Sequence, residues 1–271
     1  MSVPQSDRET RDSEDIEARQ ALLSEENQPA SPADPTATGM GSNSRAADEA
    51  RGRGDSIAGT IALASVGFLT VSTWVIIFTH NPSKLGWFAP HPLLQTLGLS
   101  LITYGQYKPV KRLGGPTSFA DPRGKAAGLT RHQIVIFCLG FPSILLGSWS
   151  IWHNKNIFGK PHFTTWHSTF GVACVLWMLF QIFIGAGSVW FNGALFGGGM
   201  KAKGLWKYHR LSGYILFPLF FSTVHLGGAW SDWMVGAIPW TLRFLVYTLA
   251  PGLVLVGVFW RLRTSKMKIF G

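Results

Sequence analysis

Residues 160–190 read KPHFTTWHSTFGVACVLWMLFQIFIGAGSVW. From Trp166 to Trp190 no residue carries a formal charge, and roughly 20 such residues are what a helix needs to cross about 30 Å of hydrocarbon. His167 stands near the start of this run, where a histidine is costly and by default a functional residue. The apolar run spans about 163–190, and five more like it lie near 57–79, 89–107, 132–152, 206–229 and 239–260. A backbone in lipid has no water to bond, so each run is expected to be helical. The chain is therefore expected to be an all-α, polytopic membrane protein with six transmembrane helices.

Composition narrows the function classes. Of 271 residues 46% are hydrophobic and only 14% charged, whereas a soluble domain carries about a quarter charged residues. The net charge of +10 is unevenly spread: residues 1–56 hold 12 of the 14 acidic residues but only 6 of the 24 basic ones. Beyond them the acids are Asp121 and Asp232 alone. The basic residues punctuate the apolar runs and form no stripe with interleaved aromatics, so nucleic acid is not an expected partner. Cys138 and Cys174 both fall inside apolar runs, which argues against a disulfide framework or a thiolate metal site.

Residues 1–56 are rich in Ser, Asp, Glu, Ala and Pro, and are expected to form a disordered cytosolic tail without a signal-peptide core. Within it, EARQALLSEE (17–26) is only loosely similar to an acidic dileucine sorting signal. The transmembrane domain is expected over 57–262, followed by a short basic cytosolic tail at 263–271. Fourteen basic residues, within 108–131, 201–210 and 261–268, lie beside helix ends on one side, against Lys84, Lys155, Lys160 and Arg243 on the other. That asymmetry places both termini in the cytosol. An endomembrane (vacuole, endosome or ER) and the plasma membrane remain alternatives. Pro92 suits the first turn of the second helix, while Pro142 and Pro218 should kink the third and fifth. The loop NGALFGGGMKAKG (192–204) lacks the GK[ST] ending of a phosphate cradle and is expected to be a flexible connection.

Three other histidines sit at matching depths in apolar runs: His91, His132 and His209. With the topology above, His91 and His167 lie near one membrane face and His132 and His209 near the other. Helical bundles commonly hold cofactors between facing side chains, and two neutral imidazoles can clamp one haem iron, so helices two to five are expected to form a four-helix haem-binding core. Gly98, Gly171 and Gly213 follow their histidines by 7, 4 and 4 residues, which at 3.6 residues per turn puts them on the same helix faces. They are expected to leave room for a macrocycle.

The remaining histidines have plainer expectations. His225 follows His209 by 16 residues, roughly 160° round the helix, and is expected to make an interhelical hydrogen bond. His80, His153 and His162 lie at or beyond helix ends. His153 and His162, with Lys155 and Lys160, form a small polar cluster suited to an electron acceptor or to proton exchange. Lys108, Lys111, Arg112, Arg131 and Arg210 form a basic rim able to hold an anionic donor through charge-assisted hydrogen bonds, although the same residues also serve as topology signals. Trp74, Trp87, Trp149, Trp152, Trp166, Trp190 and Trp206 cluster near run ends as an interfacial belt does.

The HP opening of helix two, the histidine starting helix three, the W-H-S-x-x-G of helix four and the Y-H-x-x-S-G of helix five together resemble the eukaryotic cytochrome b561 family. The resemblance covers about residues 57–262. IWHNKNIFGKPHFTTWH and KYHRLSGY look in particular like segments of the small members that lack an extracellular DOMON domain, the cytochrome b561 domain-containing proteins. It implies two haem b groups, with His132 and His209 holding the cytosolic one and His91 and His167 the other. It further implies a transmembrane ascorbate-dependent oxidoreductase, passing electrons from cytosolic ascorbate to monodehydroascorbate or ferric iron, and leaves a homodimer open. Two alternatives remain: a quinol-linked di-haem cytochrome b subunit, and a histidine-using metal transporter. The second would need acidic partners, and no Asp or Glu lies inside the six runs.

Overall fold

The computed structural model describes residues 37–106 and 128–262, with side chains from residue 53 onward. Two units divide the chain, Met1–Arg51 and Gly52–Gly271, and the packing below belongs to the second. The helices that build it are α1 (Ala37–Thr79), α2 (Pro90–Gln106), α3 (Gly128–Ile157), α4 (Trp166–Val189), α5 (Trp206–Trp230) and α6 (Trp240–Trp260). No strand occurs among the described residues, as expected of a chain that must satisfy its backbone within lipid.

Five stretches are long and apolar enough to cross a membrane: Arg53–Thr79, Gly128–Ile157, Trp166–Phe196, Gly199–Trp230 and Trp240–Trp260. This is a helical membrane protein. The sixth expected span falls on α2, whose 17 residues rise about 25 Å, less than a full crossing takes. Its sequence run ends among residues 107–127, outside the described residues together with Lys108, Lys111 and Arg112. At the other end, α1 begins at Ala37, so residues 37–56 are helical where the sequence suggests a disordered tail. Ala46, Ala47, Glu49, Ala50 and Arg51 are strong helix formers, which favours helix ahead of the apolar run. Residues 1–36 and 263–271 lie outside the described residues.

Within lipid, helices gain nothing by hiding apolar surface from the tails, so association rests on close packing and interhelical hydrogen bonds. Helix α2 packs along α3 and α4 along α5, with α6 against α5. A Cβ on Gly98 would stand 2.7 Å from Cδ1 of Ile144, and one on Gly257 would strike the carbonyl of Ala58. Polar ties join α1 to its neighbours: Thr70 to Ser100 at 2.6 Å, Thr73 to Tyr247 at 3.1 Å, and Trp74 Nε1–H donating to the Leu93 carbonyl at 3.1 Å. Leu69, Ile77, Leu99, Ile144, Phe217, Phe221, Val246 and Val254 fill the interior, while Val71, Leu146, Leu176, Phe180 and Phe183 face outward. Exposed apolar side chains along membrane-length helices mark the lipid face.

Two prolines sit just after loosened turns. Gln133–Gly140 winds as π-helix ahead of Pro142, and Leu245–Leu249 does so ahead of Pro251. Proline lacks an N–H and its ring crowds the carbonyl four residues back; wider winding before it relieves that contact. Pro218, expected to kink α5, lies inside an uninterrupted helix. The loop after α4 has definite structure: Phe191, Asn192 and Gly193 take left-handed backbone angles within Trp190–Phe196, and a short helix, Gly199–Gly204, leads into α5.

Candidate metal centres

His91 enters at the start of α2, one residue after its opening proline. Its Nδ1–H donates to the carbonyl of Gly147 on α3, 2.9 Å away. His167 is the second residue of α4, whose start is fixed by a capping box: Thr165 accepts from the Ser168 N–H while the Ser168 hydroxyl accepts from that of Thr165. The His167 Nδ1–H donates to the Thr223 carbonyl on α5, also at 2.9 Å. Both bonds span 56 residues and join the first helix of a hairpin to the second. The α2–α3 and α4–α5 hairpins thus hold their histidines alike, an equivalence that no sequence repeat announces. A carbonyl only accepts, so each Nδ1 carries the proton and each Nε2 keeps a free lone pair for a metal.

The rings of His91 and His167 lie 5.9 Å apart, centre to centre, at 82° to one another. Those of His132 and His209 lie 6.2 Å apart at 78°. Two imidazoles bound at about 2 Å on opposite sides of one metal ion have centres about 6 Å apart. Rings joined by a direct N–H···N bond of about 3 Å sit nearer, at about 5 Å. Both pairs therefore fit two axial ligands across one iron, as in bis-histidine haem sites. No three His, Cys, Asp or Glu side chains gather into a metal site among the described residues.

The second pair is held differently. His209 Nδ1 is buried without a partner. The Gln181 amide donates instead to the backbone carbonyl of His209 at 3.0 Å. A Cβ on Gly185 of α4 would stand 2.9 Å from Cε1 of His209, and one on Gly227 of α5 would stand 2.6 Å from Cε1 and Nδ1 of His167. These two glycines, each on the neighbouring helix, make the space for the rings. Gly98, Gly171 and Gly213 are the glycines expected to leave room for a macrocycle. Gly98 meets Ile144, Gly171 the Thr223 methyl at 3.8 Å, and Gly213 the Gln181 amide at 3.0 Å; none of the three meets a histidine ring. A usable signal was present: Gly185 follows His167, and Gly227 follows His209, by 18 residues, five whole turns and hence the same face. In an antiparallel pair, each histidine then meets the other helix's glycine.

The peripheral residues sort as follows. Arg131, directly before His132, is half-buried, and its Nε has no partner; Arg210, directly after His209, is exposed. His153 stacks on Trp149 at 5.2 Å and meets Trp87 edge-on at 5.1 Å. His162 instead pairs with the Asn156 side-chain oxygen at 2.8 Å and stacks on Trp152, while Lys155 donates to the Pro161 carbonyl. The structure gives the two histidines separate immediate partners. His225 makes the expected interhelical bond, its Nδ1–H donating to the Tyr247 carbonyl at 3.1 Å while Trp230 Nε1–H donates to its Nε2 at 3.1 Å. His80 bonds the Ile76 carbonyl within its own helix. Cys138 and Cys174 are free thiols.

Residues 125–234 match the sequence model of eukaryotic cytochrome b561. This segment contains His132, His167 and His209 with both backing glycines. No curated protein matches the chain.

Proposed function

We propose that the chain, whose residues 125–234 match eukaryotic cytochrome b561, acts as a member of that family, and that it carries electrons from cytosolic ascorbate to monodehydroascorbate or ferric iron on the opposite face. In this proposal His91 and His167 hold one haem b, and His132 and His209 a second. The supporting observation is the presence of two histidine pairs, 5.9 and 6.2 Å between ring centres, at opposite ends of α4. His167 and Gly185 are 18 residues apart, about 27 Å along the helix, and Gly185 backs the ring of His209. When bound, haem supplies a one-electron centre at each end.

The chain's own residues do the rest. The Gly147 and Thr223 carbonyls fix the tautomer and direction of His91 and His167, and such bonds make an imidazole a better donor to iron. Arg131 and Arg210, beside the second pair, draw an anionic reductant to the cytosolic face, joined there by Lys108, Lys111 and Arg112. At the other face His153 and His162 serve the acceptor, each from its own aromatic setting.

Proteoliposomes loaded with ascorbate, with a ferric chelate outside, test the proposal. Ferric reduction that needs the protein and is lost in His132→Leu supports it. Reduction that only quinol can drive would move the function to a quinol-linked cytochrome b.

A further inference from the structure

Arg243 stands in the first turn of α6 and makes no ion pair among the described residues. Its Nη1–H donates to the Ala229 carbonyl near the end of α5 at 2.7 Å, and its Nε, enclosed by protein, has no partner. A guanidinium is a planar fork of five donors. With Nη1 bonded to Ala229 and Nε enclosed, Nη2 is the group left to donate to an anion, in a charge-assisted hydrogen bond.

Arg243 borders a cavity of about 270 Å³, lined also by His225, Ala229, Trp230, Trp240, Phe244 and Thr248. None of these is acidic. His225 is committed to Trp230 and the Tyr247 carbonyl, so both its ring nitrogens are already bonded. Trp240 stacks on Phe244 at 5.4 Å, and Trp230 and Trp240 are 65% and 63% exposed at the ends of their helices. Exposed indoles at helix ends sit at headgroup level, so the cavity opens towards lipid. It lies on the face of α5 away from the histidine pairs, because Gly227 meets the His167 ring while His225 turns to α6.

We propose that this cavity binds the phosphodiester of a phospholipid at the membrane face where α5 ends and α6 begins. The Nη2 group of Arg243 donates to a phosphate oxygen, and the indoles of Trp230 and Trp240 flank the headgroup. An arginine at this depth is costly unless its charge is met; the lipid phosphate meets it.

The test uses the haem-loaded protein in detergent, with dioctanoylphosphatidylglycerol as probe and dioctanoylglycerol and inorganic phosphate as controls. Native mass spectrometry reads retained lipid, and thermal melting reads linkage, since a ligand of the folded state raises the melting temperature. Wild type should retain the phospholipid and melt several degrees higher with it, while neither control has an effect. Arg243→Gln should lose both responses, and Arg243→Lys should keep part of them. Should Arg243→Gln fail to fold, Trp240→Ala decides: it keeps the Arg243–Ala229 bond and should bind the lipid at least several-fold more weakly with an unchanged haem spectrum. Equal retention by Trp240→Ala or by Arg243→Gln overturns the proposal. So does a melting shift that inorganic phosphate alone reproduces, or a lipid-free dimer that Arg243→Gln dissociates.

Discussion

The ring of His167 fills the space that Gly227 leaves empty: a Cβ there would stand 2.6 Å from both Cε1 and Nδ1. That contact lies beside the Nδ1–H bond to Thr223, so the same turn of α5 both orients the ring and makes room for it.

Gly227→Ala is therefore expected to displace the His167 ring and weaken the His91/His167 centre alone. Overpacking of this kind costs about 1–3 kcal/mol, equivalent to roughly 5- to 150-fold in affinity. Gly185→Ala should weaken the His132/His209 centre instead. Gly236, whose added Cβ would meet nothing within 4 Å, supplies the control substitution to Ala. Haem content per chain checks all three, and equal losses at both centres in either variant would contradict the contacts.

His225→Leu should leave both haems in place while loosening α5 from α6. It removes the bonds to the Tyr247 carbonyl and the Thr248 hydroxyl on α6, and interhelical hydrogen bonds in membranes contribute about 0.6 kcal/mol each on average. A stability loss of about 1–2 kcal/mol in detergent unfolding, with an unchanged absorption spectrum, is the expected outcome. Loss of haem would show His225 to be a ligand.

Much of this architecture is legible in the sequence, because lipid leaves the backbone few choices. Charge-free runs around Trp166–Trp190 and their neighbours announce helices, and the intramembrane histidines stand out because burying them is costly. The depth of each histidine is legible too, since a helix rises evenly. What stays hidden is the partner across the interface. Space for each imidazole is set by the facing helix, so Gly185 and Gly227 are found only by matching antiparallel helices at five-turn spacing. The partners of His153 and His162 are hidden for a similar reason. Residues close in sequence share a helix end, yet Trp149 and Trp87 take one ring while Trp152 and Asn156 take the other. The π-helical turns before Pro142 and Pro251 were also unforeseen, because proline position alone does not say whether a helix kinks or widens.

The acceptor face yields a kinetic prediction. Replacing His153 and His162 together with Gln should slow ferric-chelate reduction several-fold with haem content unchanged. Since the rings have separate settings, the single variants should differ, and His162→Gln is expected to be the cleaner because it leaves the Trp87–Trp149–His153 stack intact. Stopped-flow oxidation of the ascorbate-reduced protein measures this, and unaltered rates would remove both residues from the mechanism.

Ring orientation yields a spectroscopic one. The planes of His91 and His167 cross at 82°, and those of His132 and His209 at 78°. Near-perpendicular axial imidazoles leave the ferric d orbitals almost degenerate, so both centres should give strongly axial low-spin EPR signals. A rhombic signal, as parallel rings produce, would contradict the geometry of that pair.

The most direct test of the two-pair account is haem stoichiometry with the ascorbate-reduced spectrum of the detergent-purified protein, in wild type and in two double variants. Wild type should carry two b-type haems, both reduced substantially by ascorbate. His91→Leu/His167→Leu and His132→Leu/His209→Leu should each retain one, with different residual spectra. Full haem in either double variant, or none in a folded wild-type protein from haem-replete cells, would contradict the assignment of these four histidines.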